Sequence, residues 1–155
     1  MSSCLMGSKV RYNASCVNMS SSDSDWIQTH FNIVTFCPEV AAGLPIPRPS
    51  AEINIGTGAD VLIGKAKVID LEGSDASQAF LHGAKLALAM CLSENIRYAL
   101  LTEASPSCGS ALIYDGSFNG IKKVGEGVTA ALLRQNGIRV FSPNTIDLLK
   151  QLVSE

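Results

Sequence analysis

The chain has 155 residues, of which 46% are hydrophobic and 17% are charged, with a formal net charge of −2. These proportions predict one folded domain, residues 1–155, and exclude a disordered chain. Because the chain carries no cluster of Lys and Arg, we expect no nucleic-acid partner. We recognise no signal peptide and no apolar run long enough to span a bilayer, so we expect a soluble, cytoplasmic protein.

The N-terminal part of the chain predicts short strands around a polar loop. An apolar run predicts a first strand at residues 2–6, and β-branched and aromatic residues predict a second at 32–36. Between them, residues 13–25 are rich in Ser and Asn and predict a loop over at least part of this range. Asp23 or Ser24 is expected to cap a short helix that follows this loop.

The middle of the chain changes from irregular segments to a long helix. Three prolines in residues 43–49 predict a stiff, extended loop. Alternating apolar residues predict short strands or a hairpin within 51–71. Apolar residues at steps of three and four predict a helix over 75–95, with Ser74 as its N-cap.

The C-terminal part predicts strands that alternate with helices. The expected strands cover 97–101, 111–114 and 139–141, and the expected helices cover 127–135 and 145–153. This alternation predicts a parallel sheet that is covered by helices on both faces.

Five cysteines are scattered along the chain: Cys4, Cys16, Cys37, Cys91 and Cys108. An odd number of cysteines in a reducing compartment argues against a disulfide framework. In a parallel sheet, Cys4, Cys37 and Cys108 would each lie at the carboxyl end of a strand, where such sheets bind ligands. Cys91 is expected in the core, on the long helix, and Cys16 is expected to be an exposed bystander, with a fourth thiol near the site as the alternative.

Three thiolates at one edge would predict a metal centre. Zinc usually takes a further His or Cys beside three cysteines, and iron–sulfur clusters normally take four cysteines. A cluster held by three cysteines would leave one iron with an open position, and catalytic metals bind substrate at such positions.

Several motifs, in order along almost the whole chain, resemble those of a bacterial family, the thiouracil desulfurases. They are residues 3–7 (SCLMG), 10–12 (VRY), 37–40 (CPEV), 43–49 (GLPIPRP), 105–110 (SPSCGS), 113–116 (IYDG) and 127–133 (GVTAALL). The resemblance implies a compact, Rossmann-like α/β domain of three layers with a mainly parallel sheet. It also implies a 4Fe–4S cluster held by Cys4, Cys37 and Cys108, and it gives Cys16 no role.

The same resemblance implies a non-redox desulfuration of thiouracil. The open iron would bind the thiocarbonyl sulfur as a Lewis acid, and water would attack the carbon, giving uracil and sulfide. For this reaction we expect Glu39, two residues from a ligand, to activate water and move protons. We expect Ser105 to position the water or to stabilise the developing charge.

Further residues are expected around the substrate. Arg48 is expected to hydrogen-bond a pyrimidine oxygen, Ser107 to contact substrate or cluster sulfur, and Gly109 to let the backbone approach closely. Arg11 is a second candidate for the role of Arg48, and a salt bridge is the alternative for both. Glu103 is either a second acid–base group or an ordinary loop carboxylate.

Two other functions stay open at this point. A non-catalytic iron–sulfur or zinc protein that senses redox state would bind metal but release no sulfide from thiouracil. A metal-free enzyme with a cysteine nucleophile would be active while colourless and would depend on one cysteine. For the preferred function, the expected partner is a thiolated pyrimidine, without nucleic acid or membrane, and the expected state is a monomer or weak homodimer.

Overall fold

The structure, a computed structural model, describes residues 1–17 and 19–154. Its helices are α1 (Ser21–His30), α2 (Pro38–Ala41), α3 (Gly58–Leu62), α4 (Ser77–Ser93), α5 (Val128–Gln135) and α6 (Ile146–Ser154), with 3-10 helices at Ser3–Met6 and Pro143–Thr145. Its strands are β1 (Ala51–Ile53), β2 (Val68–Asp70), β3 (Tyr98–Leu100), β4 (Leu112–Tyr114), β5 (Lys122–Val124) and β6 (Arg139–Phe141). The predicted α/β class is confirmed. Across the described ranges, no helix has the length and apolar character that crossing a membrane requires.

The strands form small sheets, and only some of them are parallel. β3 and β6 pair in parallel, with Leu100 opposite Phe141, whereas β1–β2 and β4–β5 are antiparallel. The prediction of a mainly parallel sheet is therefore wrong for two of these three strand pairs. The turn at 115–121 is too short for the crossover that would make β4 and β5 parallel.

The N-terminal segment lies beside two other parts of the chain. Ser2 forms a parallel bridge with Phe36, and its amide donates to the carbonyl of Leu100 at 2.9 Å. Cys4, two residues beyond Ser2, contacts Thr102, two residues beyond Leu100. The segments therefore run in the same direction, and their carboxyl ends meet at one edge.

Helices pack on both faces of the parallel pair β3–β6. On one face, Ala99 and Leu101 pack with Leu133 of α5. On the other face, Leu100 packs with Ile27 of α1. Because successive side chains of a strand point to opposite faces, both faces of β3 are covered, and its carboxyl end leads into the segment that carries Cys108.

Two predicted strands are not found as strands. Within residues 2–6, only Ser2 forms a bridge, and the chain then turns into the 3-10 helix Ser3–Met6, which ends at Gly7 with φ of +90°. Residues 32–36 form a bridge at Phe36 alone. Because the partner segment leaves the pairing after Ser2, neither segment has enough paired residues to form a ladder.

The predicted helix caps are also wrong. The hydroxyl of Ser20 accepts the amide of Asp23 at 3.3 Å, so α1 begins before Asp23 and Ser24. Ser74 does not cap α4, whose first amide donates instead to the carboxylate of Asp75 at 2.9 Å. Neighbouring Ser and Asp residues are all good caps, so sequence alone did not distinguish between them. Within the predicted loop at 13–25, Asn18 lies outside the described residues.

The remaining long elements are confirmed. The predicted helices at 75–95, 127–135 and 145–153 and the strands at 97–101, 111–114 and 139–141 are found with bounds shifted by at most two residues. The proline-rich segment 43–49 lacks helix and strand, and the short strands expected within 51–71 are β1 and β2. The helices α2 and α3 and the strand β5 were not predicted. The two helices are too short for a periodic apolar pattern, and β5 begins with two lysines, which are not typical of a strand.

Gly83 sets the distance between α4 and α2. A Cβ atom at this position would lie only 2.4 Å from the carbonyl oxygen of Pro38. Pro38 stands between Cys37 and Glu39, so this close contact fixes how deeply α2 places both residues.

We expect Gly83→Ala to lower stability by about 1–3 kcal/mol, because overpacking outweighs the better helix propensity of Ala. Thermal unfolding measures this change, and Lys85→Ala on the exposed side of α4 is the control. Equal melting temperatures for Gly83→Ala and the wild type would show that α2 is not held by this contact.

Candidate metal centre

The structure brings Cys4, Cys37 and Cys108 to the same edge. Cys4 and Cys108 are 7% and 6% exposed, and Cys37 is partly buried. The charge of Cys37 acts on the pKa values of both other thiols, so the three lie within electrostatic range of one another. In the part of the chain that the structure describes, no three His, Cys, Asp or Glu side chains surround a single-ion position.

The surroundings of these thiols raise their pKa values. Burial raises the pKa of Cys4 and of Cys37, and burial together with the charge of Glu39 raises the pKa of Cys108 to about 12. A nucleophilic cysteine has a lowered pKa, so this environment does not favour the metal-free cysteine enzyme. Thiols lose their protons when they bind metal as thiolates, so cofactor uptake at these cysteines would release protons.

Two hydroxyl residues beside the thiols were not predicted. Thr102 Oγ1 lies 2.7 Å from the sulfur of Cys4, and the amide of Thr102 donates to Ser2 Oγ at 3.1 Å. A hydrogen bond from Ser2 to the thiol of Cys108 opposes the effect of burial on its pKa. Ser2 and Thr102 thereby connect the two cysteines. The sequence could have indicated both residues, because Ser2 shortly precedes Cys4, Thr102 shortly precedes Cys108, and each carries a hydroxyl group.

Residues 105–110, the cysteine loop, are shaped by Ser105. Its Oγ accepts the amides of Ser107 at 3.1 Å and of Cys108 at 3.2 Å, and its carbonyl accepts the amide of Gly109 at 2.9 Å. Ser105 is thus a turn former, which was the alternative to its catalytic role. A hydroxyl that accepts two bonds still has its own proton to donate, so the predicted donor role remains chemically compatible.

The first turn of α5 holds the other side of the cysteine loop. The amide of Val128 donates to the carbonyl of Pro106 at 2.8 Å, and that of Thr129 donates to the carbonyl of Ser107 at 2.9 Å. A Cβ on Gly127 would lie 2.5 Å from the carbonyl of Ser107, so glycine is required for this approach. The loop is therefore packed directly onto the helix.

Ser107 and Gly109 lie inside the protein. Ser107 is 0% exposed, and its hydroxyl is 2.8 Å from that of Thr129. It also hydrogen-bonds the thiol of Cys108, so its position favours contact with the cysteine sulfur over contact with substrate. A Cβ on Gly109 would lie 2.5 Å from the carbonyl oxygen of Leu112, so this glycine lets the loop close on itself.

Glu39 and Arg48 form an ion pair that is largely buried. Their side chains are 15% and 6% exposed, and Arg48 donates from both Nε and Nη2 to Glu39 Oε2, the former at 2.8 Å. Arg48 also donates to the carbonyls of Pro45 and Val10, each at 3.1 Å. These bonds engage every nitrogen of the guanidinium group, so they favour the salt-bridge alternative over the predicted contact with pyrimidine.

The remaining candidates divide between the edge and the core. Arg11 stacks over the ring of Tyr12 at 5.9 Å, and its charge opposes the effect of burial on the pKa of Cys4. Cys16 is partly buried in the segment that returns to Cys4. Cys91 is 4% exposed in the apolar core, as predicted.

Glu103 is an ordinary loop carboxylate, because it accepts hydrogen bonds from backbone amides later in the same loop region. Burial raises its pKa, but bonds from the amides of Ala111 and Leu112 and from Ser110 outweigh burial and lower the pKa to about 2. At neutral pH this group stays ionised and has no proton to donate. The alternative of a second acid–base group is therefore not favoured.

This lowered pKa predicts a component of acid sensitivity. Because the folded value lies below the ordinary value of 4.5, Glu103 stabilises the fold above that pH and loses this contribution as pH falls toward 2. We expect the melting temperatures of wild type and Glu103→Gln to differ near neutral pH and to converge in acid. A difference that does not change with pH would contradict this assignment.

Comparisons with known proteins agree with the resemblance inferred from the motifs. The 2-thiouracil desulfurase family model matches residues 1–145. A solved structure of a [4Fe-4S]-dependent thiouracil desulfidase, TudS, has a TM-score of 0.87 and 44% identity, over 99% of this chain and 95% of that chain. The uncharacterized protein YbbK of Bacillus subtilis (strain 168) is 44% identical over 147 residues, which are 95% of this chain and 96% of YbbK. This chain belongs to the 2-thiouracil desulfurase family.

Proposed function

We propose that this protein is an iron–sulfur-dependent thiouracil desulfurase that converts thiouracil and water into uracil and sulfide. The observation that carries the proposal is the meeting of Cys4, Cys37 and Cys108 at one edge, with the Glu39–Arg48 pair beside Cys37. Family membership and the likeness to TudS support the same activity and a 4Fe–4S cofactor.

The three cysteines fit such a cofactor by the chemistry of their donor atoms. Iron–sulfur clusters are held by cysteine thiolates, and the hydroxyls of Thr102 and Ser107 lie where they can hydrogen-bond the sulfurs of Cys4 and Cys108. When bound, the cluster supplies a Lewis-acidic iron with an open position for the substrate sulfur. Cys4, Cys37 and Cys108 are the residues that would hold it.

Glu39 is the proposed general base. Arg48 holds its Oε2, so Oε1 is the oxygen that accepts a proton from the attacking water. Water adds to the carbon to form the C–O bond, and the C–S bond then breaks. Both protons of water leave with the sulfur, as H2S or as HS− and a proton released to solvent, so uracil gains none. No oxidant or reductant is needed, because oxygen replaces sulfur at the same oxidation state of carbon.

Ser105 is the proposed hydroxyl donor. The amides of Ser107 and Cys108 fix its oxygen, so its proton is directed away from them, toward water or the developing charge on the pyrimidine. Because Ser105 lies three residues before Cys108, one loop places both the donor and a ligand.

Arg48 is proposed to position Glu39 rather than to bind substrate. We expect Arg48→Met to lower kcat more than about tenfold with little change in KM, because the carboxylate loses its fixed orientation. Steady-state kinetics of the reconstituted enzyme measure both constants. A raised KM with normal kcat would instead place Arg48 against the substrate.

The proposed enzyme is one desulfurase domain with a Rossmann-like arrangement of three layers. The helices that cover both faces of β3 support this arrangement. We place it in the cytoplasm, because its five cysteines suit a reducing compartment. We propose a monomer or weak homodimer as its oligomeric state. Its partner is a thiolated pyrimidine, and its net charge of −2 gives no basic surface for nucleic acid.

A reconstitution experiment tests the function. The protein is loaded anaerobically with iron and sulfide, desalted, and incubated with 2-thiouracil or 4-thiouracil while sulfide and uracil are measured. We expect both products from the loaded protein and neither from the cofactor-free protein. Iron binding without sulfide release would indicate a redox sensor, and activity without iron would indicate a cysteine nucleophile; either result would overturn the proposal.

A further inference from the structure

The carboxylate of Glu103 joins the two ends of the cysteine loop. Glu103 precedes the loop, and its Oε1 accepts the amides of Ser110 at 2.7 Å and of Ala111 and Leu112 at 3.0 Å each. Its Oε2 accepts the hydroxyl of Ser110 at 2.7 Å. One side chain before the loop therefore binds three consecutive amides at its far end.

The backbone pairs at the same place. The amide of Ala104 donates to the carbonyl of Leu112 at 3.1 Å, and Ala104 forms a parallel bridge with Ile113. Three successive amides that face one point form an anion-binding concavity, and here the protein supplies the anion itself. The two ends of the loop meet at Ala104 and Leu112, and we call this place the neck. It is held together by the charged carboxylate of Glu103 as well as by backbone pairing.

Cys108 lies between this neck and the first turn of α5. Toward α5, the loop is held by the carbonyls of Pro106 and Ser107. Toward the neck, the half of the loop that follows Cys108 ends at Ser110, whose amide and hydroxyl both bind Glu103. Loss of the carboxylate would remove these bonds from the half of the loop that follows Cys108, which would then be held only by the amide of Gly127 on the carbonyl of Gly109 and by Arg134 on the carbonyl of Ser110 among its described bonds to α5.

We propose that Glu103 is a positioning residue that sets the cysteine loop, and with it Cys108, in its ligand-binding shape before any cofactor is present. The functional consequence rests on the proposed ligand role of Cys108. The positioning itself does not, so it can be measured on the cofactor-free chain.

The test is alkylation of individual cysteines in full-length, cofactor-free, reduced protein with iodoacetamide, followed by peptide mass spectrometry. In Glu103→Ala we expect Cys108 to react at least about tenfold faster than in wild type, through local opening of the loop. Cys91 is the internal control, because it lies on α4, outside the loop, although it packs in the same apolar cluster as Cys108; its rate should rise far less than that of Cys108.

Two further variants separate geometry from general destabilisation. Glu103→Gln keeps an oxygen for the three amides but loses the charge, so we expect Cys108 to react faster than in wild type but clearly more slowly than in Glu103→Ala. Ser110→Ala removes one hydroxyl bond only and should give an intermediate rate. After reconstitution, iron per chain and the visible absorbance of the cluster should be reduced in Glu103→Ala and should be closer to wild type in Glu103→Gln.

Three results would overturn the inference. They are an unchanged Cys108 rate in folded Glu103→Ala, equal acceleration of Cys108 and Cys91, and a Cys108 rate in Glu103→Gln as fast as in Glu103→Ala. If the wild-type protein released no sulfide while Cys108 still responded as expected, the proposed function would fail and the role of Glu103 would stand.

Discussion

Replacement of Cys4, Cys37 or Cys108 by alanine, one at a time, is expected to prevent a stable cluster and to lower desulfuration more than about hundredfold. Each of the three cysteines lies on a different segment of the chain, so the other two cannot replace the sulfur ligand that is lost. Iron and sulfide content after anaerobic reconstitution, the visible absorption of the cluster and sulfide release from thiouracil measure the effect.

Cys91→Ala is the matched control for these variants. Cys91 is as buried as Cys4 and Cys108 and packs in the same apolar cluster as Cys108, but it lies on α4, outside the three candidate ligand segments, so its removal should cost stability without affecting iron content. Cys16→Ala is expected to keep both cluster and activity. A variant among the first three that retains full iron, sulfide and turnover would remove that cysteine from the ligand set.

Glu39→Gln is expected to keep the cluster and to lower turnover by about 10²–10⁴. The amide retains the size of the side chain and can still meet Arg48 through its oxygen, but it cannot accept the proton of water at neutral pH. The measurements are iron content, absorption spectrum and the rate of sulfide release. Unchanged turnover in a fully loaded variant would show that another group activates water.

A second carboxylate variant controls for the loss of charge. Glu94→Gln removes a charge at the exposed end of α4, distant in sequence from the cysteine motifs, and should leave turnover and loading as in wild type. A parallel loss in this variant would indicate that net charge, and not proton transfer at Glu39, limits the rate.

The candidate ligands could be proposed from the sequence because their signal is local. Cys37 directly follows an extended segment, and Cys108 lies in a loop after a buried strand, so the expected edge depended only on the direction of these segments. The structure keeps that direction even though residues 2–6 and 32–36 do not form full strands. The hydrogen bond between Cys4 and Thr102 depends on residues far apart in sequence and could not be inferred from it.

The roles around the ligands were harder to assign, since one residue type serves several purposes. A loop arginine can bind substrate or a carboxylate, and only the structure places Arg48 against Glu39 and the carbonyl of Val10. Likewise, Ser107 stands beside a ligand in sequence, yet its side chain is buried against Thr129. Sequence distance to Cys108 did not predict the direction of that side chain.

By itself, the sequence determined the α/β class, the long helices and the thiol-bearing segments, because apolar periodicity and the presence of cysteine are properties of short stretches. Only the tertiary structure decided which strands run antiparallel, that Arg48 holds Glu39, and that Glu103 closes the cysteine loop. The physical reason is that a hydrogen bond or ion pair depends on the distance and direction between two groups, and the folded chain sets both.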